Sequence, residues 1–206
     1  MEVYNLKSKK TLILFFALAM VATACSSAAV PCDEVEITTG ENGLPDLDGC
    51  EFTFAVENAY LPFNYIDAET GEAMGWDYDV FNYMGELMNF TPVYIPTAWD
   101  GMIQATADGQ FMIAGDGITI TAERDEIVDF SNGYINLAQR VLVASGNTEI
   151  TSLQDLIDGD YTVATQKGTT NYEFAVSALG EDKVQAFDDF NFAIQAVISG
   201  DADASI

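Results

Sequence analysis

Short apolar runs alternate with segments of helical spacing from Phe52 onward. Phe52 to Val56 is short, apolar and rich in aromatic and β-branched residues, which predicts a buried strand. Asp77 to Phe90 carries Val80, Phe81, Met84, Leu87 and Met88 at helical spacing, a stripe that predicts core packing and no cofactor role. Strands are expected at Val93 to Ile95 and Phe111 to Ala114, with a helix from Trp99 to Ala107 between them. After Asn132-Gly133 a new run opens at Arg140 to Ala144. Ser152 is placed to cap a helix over Leu153 to Ile157. Thr162 to Ala164 and Val184 to Phe187 read as strands, and Thr169 to Leu179 and Phe192 to Ile198 as helices. Ala202 to Ile206 reads as the start of a further strand. Strand and helix in alternation predict an α/β fold with parallel sheets and crossover helices.

The N-terminus breaks this rhythm. Lys7, Lys9 and Lys10 precede an apolar run from Leu12 to Ala22, followed by Ala22-Thr-Ala-Cys25, which together predict a secretory signal over residues 1–24. The run is too short to span a bilayer as a finished helix. Ala22-Thr-Ala24 fits an ordinary signal peptidase site, and the cysteine that follows fits a lipobox. The lipoprotein reading is favoured, with Cys25 lipidated and Ser26-Ser-Ala-Ala29 as a flexible tether. Lipid would hold the protein outside the cytoplasm, at the outer face of the cytoplasmic membrane or in the periplasm. Residues 25–49 then form a tether and a turn-rich loop. Cys32 and Cys50 remain as an even pair in an oxidising compartment, which predicts a disulfide contributing on the order of 3 kcal/mol. Two free thiols are the alternative.

The formal charge of −26 excludes nucleic acid as a partner, because so acidic a surface repels phosphate backbones and anionic headgroups. The chain has no histidine, which removes Ser-His pairs and His-ligated metals. Asp46, Asp48 and Glu51 lack the spacing of a calcium loop and read as a solvated turn. No metal and no cofactor is expected.

Candidate chemistry centres on Gly117 to Asp129, where Arg124 is one of two arginines in the chain. Asp116 and Gly117 open a turn after the strand at Phe111 to Ala114. Thr119 and Thr121 then place hydroxyls where a carboxylate could be gripped by a guanidinium, whose fixed fork of donors matches it. A surface ion pair of Arg124 with Glu123 or Asp125 is the plain alternative. Gly168-Thr-Thr170 opens a helix, whose free N–H groups and dipole favour an anion. It reads equally well as an ordinary helix cap.

Six stretches carry a resemblance in order and spacing: Val56-Glu-Asn-Ala-Tyr-Leu-Pro-Phe63, Gly75-Trp-Asp-Tyr-Asp-Val80, Trp99-Asp-Gly-Met-Ile-Gln104, the Arg124 segment, Gly168-Thr-Thr170 and Gly200-Asp-Ala-Asp-Ala204. From about Phe52 to the last residue the chain resembles the extracellular solute-binding proteins of polar amino-acid ABC transporters, family 3. The resemblance implies a two-lobe, periplasmic-binding-protein-like fold of type II, with lobe 1 at 50–137 and lobe 2 at 138–206 joined by hinge strands. It also implies that the second lobe and its return to the first are incomplete, leaving apolar surface on lobe 1 uncovered.

In that family a monomer closes on an amino acid and delivers it to a membrane permease. Carried over, Arg124 and Thr119 meet the ligand's carboxylate from lobe 1, and Gly168, Thr169 and Thr170 from lobe 2. The ammonium would use Gly117, Thr119 and a carboxylate just past Ile206. Glu57, Tyr60, Trp99 and Asp116 would read the side chain, with Trp99 as a core residue the alternative. Glu57 and Asp116 lean toward a cationic or amide ligand, a preference that Lys167 could screen. Met112 stands where relatives commonly have an acid, and Asp77 and Asp79 resemble the family's helix start.

Two other readings share the fold. One is a dehydratase acting on prephenate or arogenate, with Glu173 as its acid; the expectation here is no enzyme, since only carboxylate chemistry stays open. The other is the ligand-sensing domain of a membrane receptor, against which a lipidated Cys25 argues.

Overall fold

The computed structural model describes residues 30–206. The expected signal, the lipidation site at Cys25 and residues 26–29 of the tether lie outside the described residues. The first elements are a small antiparallel pair, β1 (Thr38–Thr39) and β2 (Pro45–Asp46). They lie in the loop that Cys32 and Cys50 close as a disulfide, with Cα atoms 5.0 Å apart. Asp46 accepts from the Asp48 amide and the Asn89 side chain, so its carboxylate serves the turn.

The sheet of lobe 1 has β3 (Cys50–Val56) in its centre, parallel to β7 (Phe90–Pro96) on one side and β8 (Ile113–Ala114) on the other. A central parallel strand is covered on both faces and therefore reads as an apolar run. Helix α1 (Trp76–Met88) covers one face: Phe81, Met84 and Met88 pack on Phe54 and Phe90, and the Phe81 and Phe54 rings stack at 4.1 Å. Leu87 belongs to the same sequence stripe but stays exposed. Met112 also packs into this core. On the other face Met102 of α2 (Met102–Ala107) meets Ala55 and Trp99. Helix α2 starts three residues after Trp99, whose carbonyl accepts from the Met102 amide in the turn before it.

Between β3 and α1 lies an antiparallel set that periodicity does not announce, β4 (Ala59–Tyr60), β5 (Asn64–Ile66) and β6 (Ala73–Met74). It carries Tyr60 and Asn64 over the end of β3. A single turn of helix, α3 (Ala122–Asp125), follows β8. Residues 128–141 then connect the lobes without regular secondary structure.

Lobe 2 is built on the order β11-β10-β12-β9, from β9 (Leu142–Val143), β10 (Val163–Gln166), β11 (Val184–Phe187) and β12 (Ala204–Ser205). The sheets are not parallel throughout, since β9 runs antiparallel to β12. Its chain comes directly from the connecting segment, and an antiparallel edge strand on a parallel sheet is a common result. One face packs α4 (Leu153–Asp158) and α5 (Thr170–Leu179) through Ile150, Leu156, Val163, Ala175 and Ile206. The other packs α6 (Phe190–Ser199) through Ala164, Ala193 and Val197. Helix α4 begins with a reciprocal cap, in which the Ser152 hydroxyl accepts from the Asp155 amide and the Asp155 carboxylate from the Ser152 amide.

Candidate functional site

Thr121 is the N-cap of α3, and its hydroxyl accepts from the Arg124 amide at 3.2 Å. That hydroxyl therefore caps the helix and does not join the site, contrary to the sequence expectation. The short helix instead aims the Arg124 side chain back between the lobes. Its Nη1 donates to the Thr119 carbonyl at 2.9 Å and its Nη2 to the Gly168 carbonyl at 3.3 Å. The guanidinium lies over the Trp99 ring, 4.9 Å from its centre. Burial lowers the pKa of Arg124, and the charges of Glu173 and Glu123 oppose that shift. Among the described residues, no ion pair joins Arg124 to Glu123 or Asp125.

The N-terminus of α5 faces the same gap. Thr169 is its N-cap, accepting from the Tyr172 amide at 3.1 Å and donating to the Gln166 carbonyl at 2.6 Å. Thr170 accepts from the Gln139 side chain at 3.2 Å. Gly168 has φ +70, a left-handed conformation that glycine adopts without steric cost. It turns its carbonyl, not its amide, toward Trp99 and Arg124.

Acidic groups form the opposite wall. Asn64, Asp77 and Asp116 are all buried, and the Asn64 amide donates to Asp77 at 2.8 Å and to Asp116 at 2.7 Å. Asp77 lies in the first turn of α1, as the sequence reading has it, with its carboxylate turned inward to Asn64. Burial pushes the Asp116 carboxyl up to about 7, with Glu57 and Asp77 adding to the rise against the Asn64 hydrogen bond. The Glu57 carboxyl is also raised, chiefly by burial, although Gln166 donates to it at 2.6 Å. The turn at Gly117 (φ +55) brings the backbone against Phe63 and Tyr60, where a Cβ would sit 2.9 Å from the Phe63 ring. Across the gap the Tyr60 and Phe190 rings meet edge to face at 5.7 Å.

Nine of the ten candidate ligand residues line one cavity of about 40 Å³: Glu57, Tyr60, Trp99, Asp116, Gly117, Thr119, Arg124, Thr169 and Thr170. Gly168 stands behind it through its carbonyl. Trp99 is buried and packs with Ala55 and Met102, so it serves the core and the cleft together. Ile118, Gln166, Asn171 and Phe190 complete the lining and were missed by sequence reasoning. Gln166 ends β10, and the carboxyl ends of parallel strands are where ligands of open α/β sheets collect, which was a usable signal. Lys167 is outside the cleft, pairing with Asp188 at 2.7 Å and Asp100 at 3.6 Å. It therefore does not screen Glu57 and Asp116. Glu173 is exposed and is not part of the lining. Among the described residues no group of His, Cys, Asp or Glu is arranged to hold a metal, and no helix is long and apolar enough to cross a membrane.

Residues 52–204 match the family described as bacterial extracellular solute-binding proteins, family 3. A probable histidine-binding protein of Neisseria gonorrhoeae is 30% identical over 161 residues, which cover 77% of this chain and 59% of the relative. Cyclohexadienyl dehydratase of Pseudomonas aeruginosa is 29% identical over 150 residues, covering 72% of this chain and 56% of the enzyme. The crystal structure of an ancestral amino acid-binding protein, a precursor of cyclohexadienyl dehydratase, superposes with a TM-score of 0.71 at 36% identity, covering 75% of this chain and 68% of that one. The chain thus spans less than two thirds of the length of both curated relatives.

Proposed function

Because the chain belongs to family 3 of the bacterial extracellular solute-binding proteins, we propose that it is the binding component of an ABC importer. It takes a polar amino acid between its lobes and hands it to a membrane permease. The carrying observation is the position of Arg124, whose guanidinium lies between the lobes with donors directed at two carbonyl oxygens. A ligand carboxylate is a stronger acceptor than either carbonyl and fits the same fork of donors. The N-terminus of α5, with the Thr170 hydroxyl, faces that carboxylate from lobe 2. Thr119 and Gly117 serve the ammonium, and Tyr60 and Trp99 hold the aliphatic part between rings. Glu57 and Asp116 read the end of the side chain.

Contacts between the lobes bridge the cleft, so entry requires the lobes to part. The interactions that separate are the Tyr60–Phe190 contact and the hydrogen bonds Trp99–Gly168, Arg124–Gly168 and Glu57–Gln166. Each is modest alone, which suits reversible binding near micromolar, about 8 kcal/mol. The protein works outside the cytoplasm, as a monomer held by lipid on Cys25.

A thermal-shift screen of the twenty amino acids, followed by calorimetry on the hits, tests the reading. A rise in Tm with one or a few polar amino acids is expected. If none of the twenty shifts Tm or gives binding heat, the proposal fails. Incubation with prephenate or arogenate separates this reading from the dehydratase one; no aromatic product is expected, because Glu173 is exposed and does not line the cavity.

A further inference from the structure

The acidic wall of the cleft has an unusual electrostatic composition. The two N–H bonds of the Asn64 amide go to carboxylates, Asp77 at 2.8 Å and Asp116 at 2.7 Å, while its carbonyl accepts from the Asn58 amide at 2.6 Å. Asn64, Asp77 and Asp116 are 0%, 1% and 4% exposed. One neutral amide cannot compensate two buried negative charges. The other groups facing this pair are the Glu57 carboxyl and the phenols of Tyr60, Tyr78, Tyr94 and Tyr134, all of which are neutral or negative. The basic groups of the region are engaged elsewhere, Arg124 with Thr119 and Gly168, and Lys167 with Asp188 and Asp100. The pair therefore holds a proton or accepts a cation.

The two carboxyls differ in access. Asp116 lines the cavity and Asp77 does not. Arg124 stands in the same cavity, so one cleft offers a cation and an acid to a single ligand. We propose that Asp116, held by Asn64 against Asp77, selects cationic over amide side chains by exchanging its proton for the ligand's guanidinium or ammonium group. The inference rests on the reading of the cleft as an amino-acid site. The exchange balances: the Asp116 O–H breaks, its proton leaves to solvent, and the carboxylate left behind pairs with the entering cation. Affinity for a cationic ligand then rises with pH as long as Asp116 in the free protein is protonated, a range that ends near its raised value of about 7. An amide side chain has no charge to trade and gains nothing.

Isothermal titration calorimetry on the full chain tests this with L-arginine, L-lysine and L-glutamine at pH 6 and pH 8. Each pH is run in two buffers of different ionisation enthalpy, which counts protons released. The expected result is release of close to one proton with arginine or lysine at pH 6, much less at pH 8, and none with glutamine at either. The arginine-to-glutamine affinity ratio should grow severalfold between the two pH values. In Asp116→Asn, proton release should disappear and that ratio at pH 8 should fall at least tenfold. If this variant fails to fold, the wild-type proton count decides. Cation binding without proton release, undiminished release in the folded variant, or binding of glutamine alone overturns the inference and leaves the amino-acid site standing. Binding of none of the three at either pH, with no other amino acid bound in the screen, overturns both.

Discussion

The indole nitrogen of Trp99 in lobe 1 donates to the Gly168 carbonyl in lobe 2 at 3.1 Å. Arg124 donates to the same oxygen, and its guanidinium lies over the Trp99 ring. One carbonyl of lobe 2 thus holds a ring and a cation of lobe 1 together. Trp99→Phe keeps an aromatic surface under the guanidinium and removes the N–H. The loss should be about 1 kcal/mol, near fivefold in affinity, and equal for all ligands bound. Trp99→Ala also removes the ring and should change the ranking of ligands and lower Tm. Calorimetry with a ligand series separates the two variants. A reordering already present in Trp99→Phe would mean that the N–H contacts the ligand's side chain.

Arg124→Ala should weaken every α-amino acid by one to two orders of magnitude, since charge-assisted hydrogen bonds contribute about 1.5–3 kcal/mol each. Arg124→Lys keeps the charge but not the planar fork, and should recover only part of the loss. Stability should change little, because the side chain's hydrogen bonds go to two carbonyls at an interlobe surface and its contact with the core is the stack on the Trp99 ring. Unchanged affinities in Arg124→Ala would remove the carboxylate assignment.

The elements legible in the chain were those made by local patterns. The apolar run of β3, the stripe of Phe81, Met84 and Met88 on α1, and the caps Ser152 and Thr169 all depend on near neighbours in sequence. The Arg124 region and Gly168-Thr-Thr170 were legible through the family resemblance, and the structure brings them to one gap. Non-local relationships were not legible. Asn64 reaches Asp77 and Asp116 across 13 and 52 residues, and Glu57 reaches Gln166 across 109. β4, β5 and β6 are only two or three residues long, so their pairing has no periodic signal. Phe190 and Asn171 enter the cavity only because lobe 2 approaches lobe 1.

Stability should fall as pH rises from about 4.5 to 7.5. Burial raises the carboxyls of Asp116, Asp77 and Glu57 above their unfolded values, so each keeps in the folded chain a proton that the unfolded chain loses at lower pH, and for Asp116 that interval extends to about 7. The change is at most about 1.4 kcal/mol per pH unit for each fully coupled proton. Asp46, Asp67 and Asp155 are lowered by hydrogen bonds to their turns and caps, and their contribution is lost only at more acid pH. Tm should therefore peak on the acid side of neutrality, and Asp116→Asn should flatten the decline toward pH 7.5. A wild-type Tm that climbs steadily from pH 4.5 to 7.5 would contradict the buried-acid assignment.

Two adjacent threonines allow helix capping to be separated from ligand binding. Thr169 takes the Tyr172 amide and gives its hydroxyl proton to the Gln166 carbonyl, so its hydroxyl organises the first turn of α5. Replacement by alanine should cost about 1 kcal/mol of stability, the usual loss for an N-cap. Thr170 is inside the helix and its hydroxyl meets only the Gln139 side chain, while both residues line the cavity. Thr170→Ala should leave Tm nearly unchanged, since alanine is the better helix former and a single side-chain hydrogen bond is lost. Its effect should be on affinity, a fewfold to tenfold loss shared by all α-amino acids, as expected for a hydroxyl directed at the invariant carboxylate end. Thermal melts and calorimetry on the same two variants give four numbers. A Thr170→Ala variant that melts lower yet binds normally would return the Gly168-Thr-Thr170 segment to the role of an ordinary helix cap.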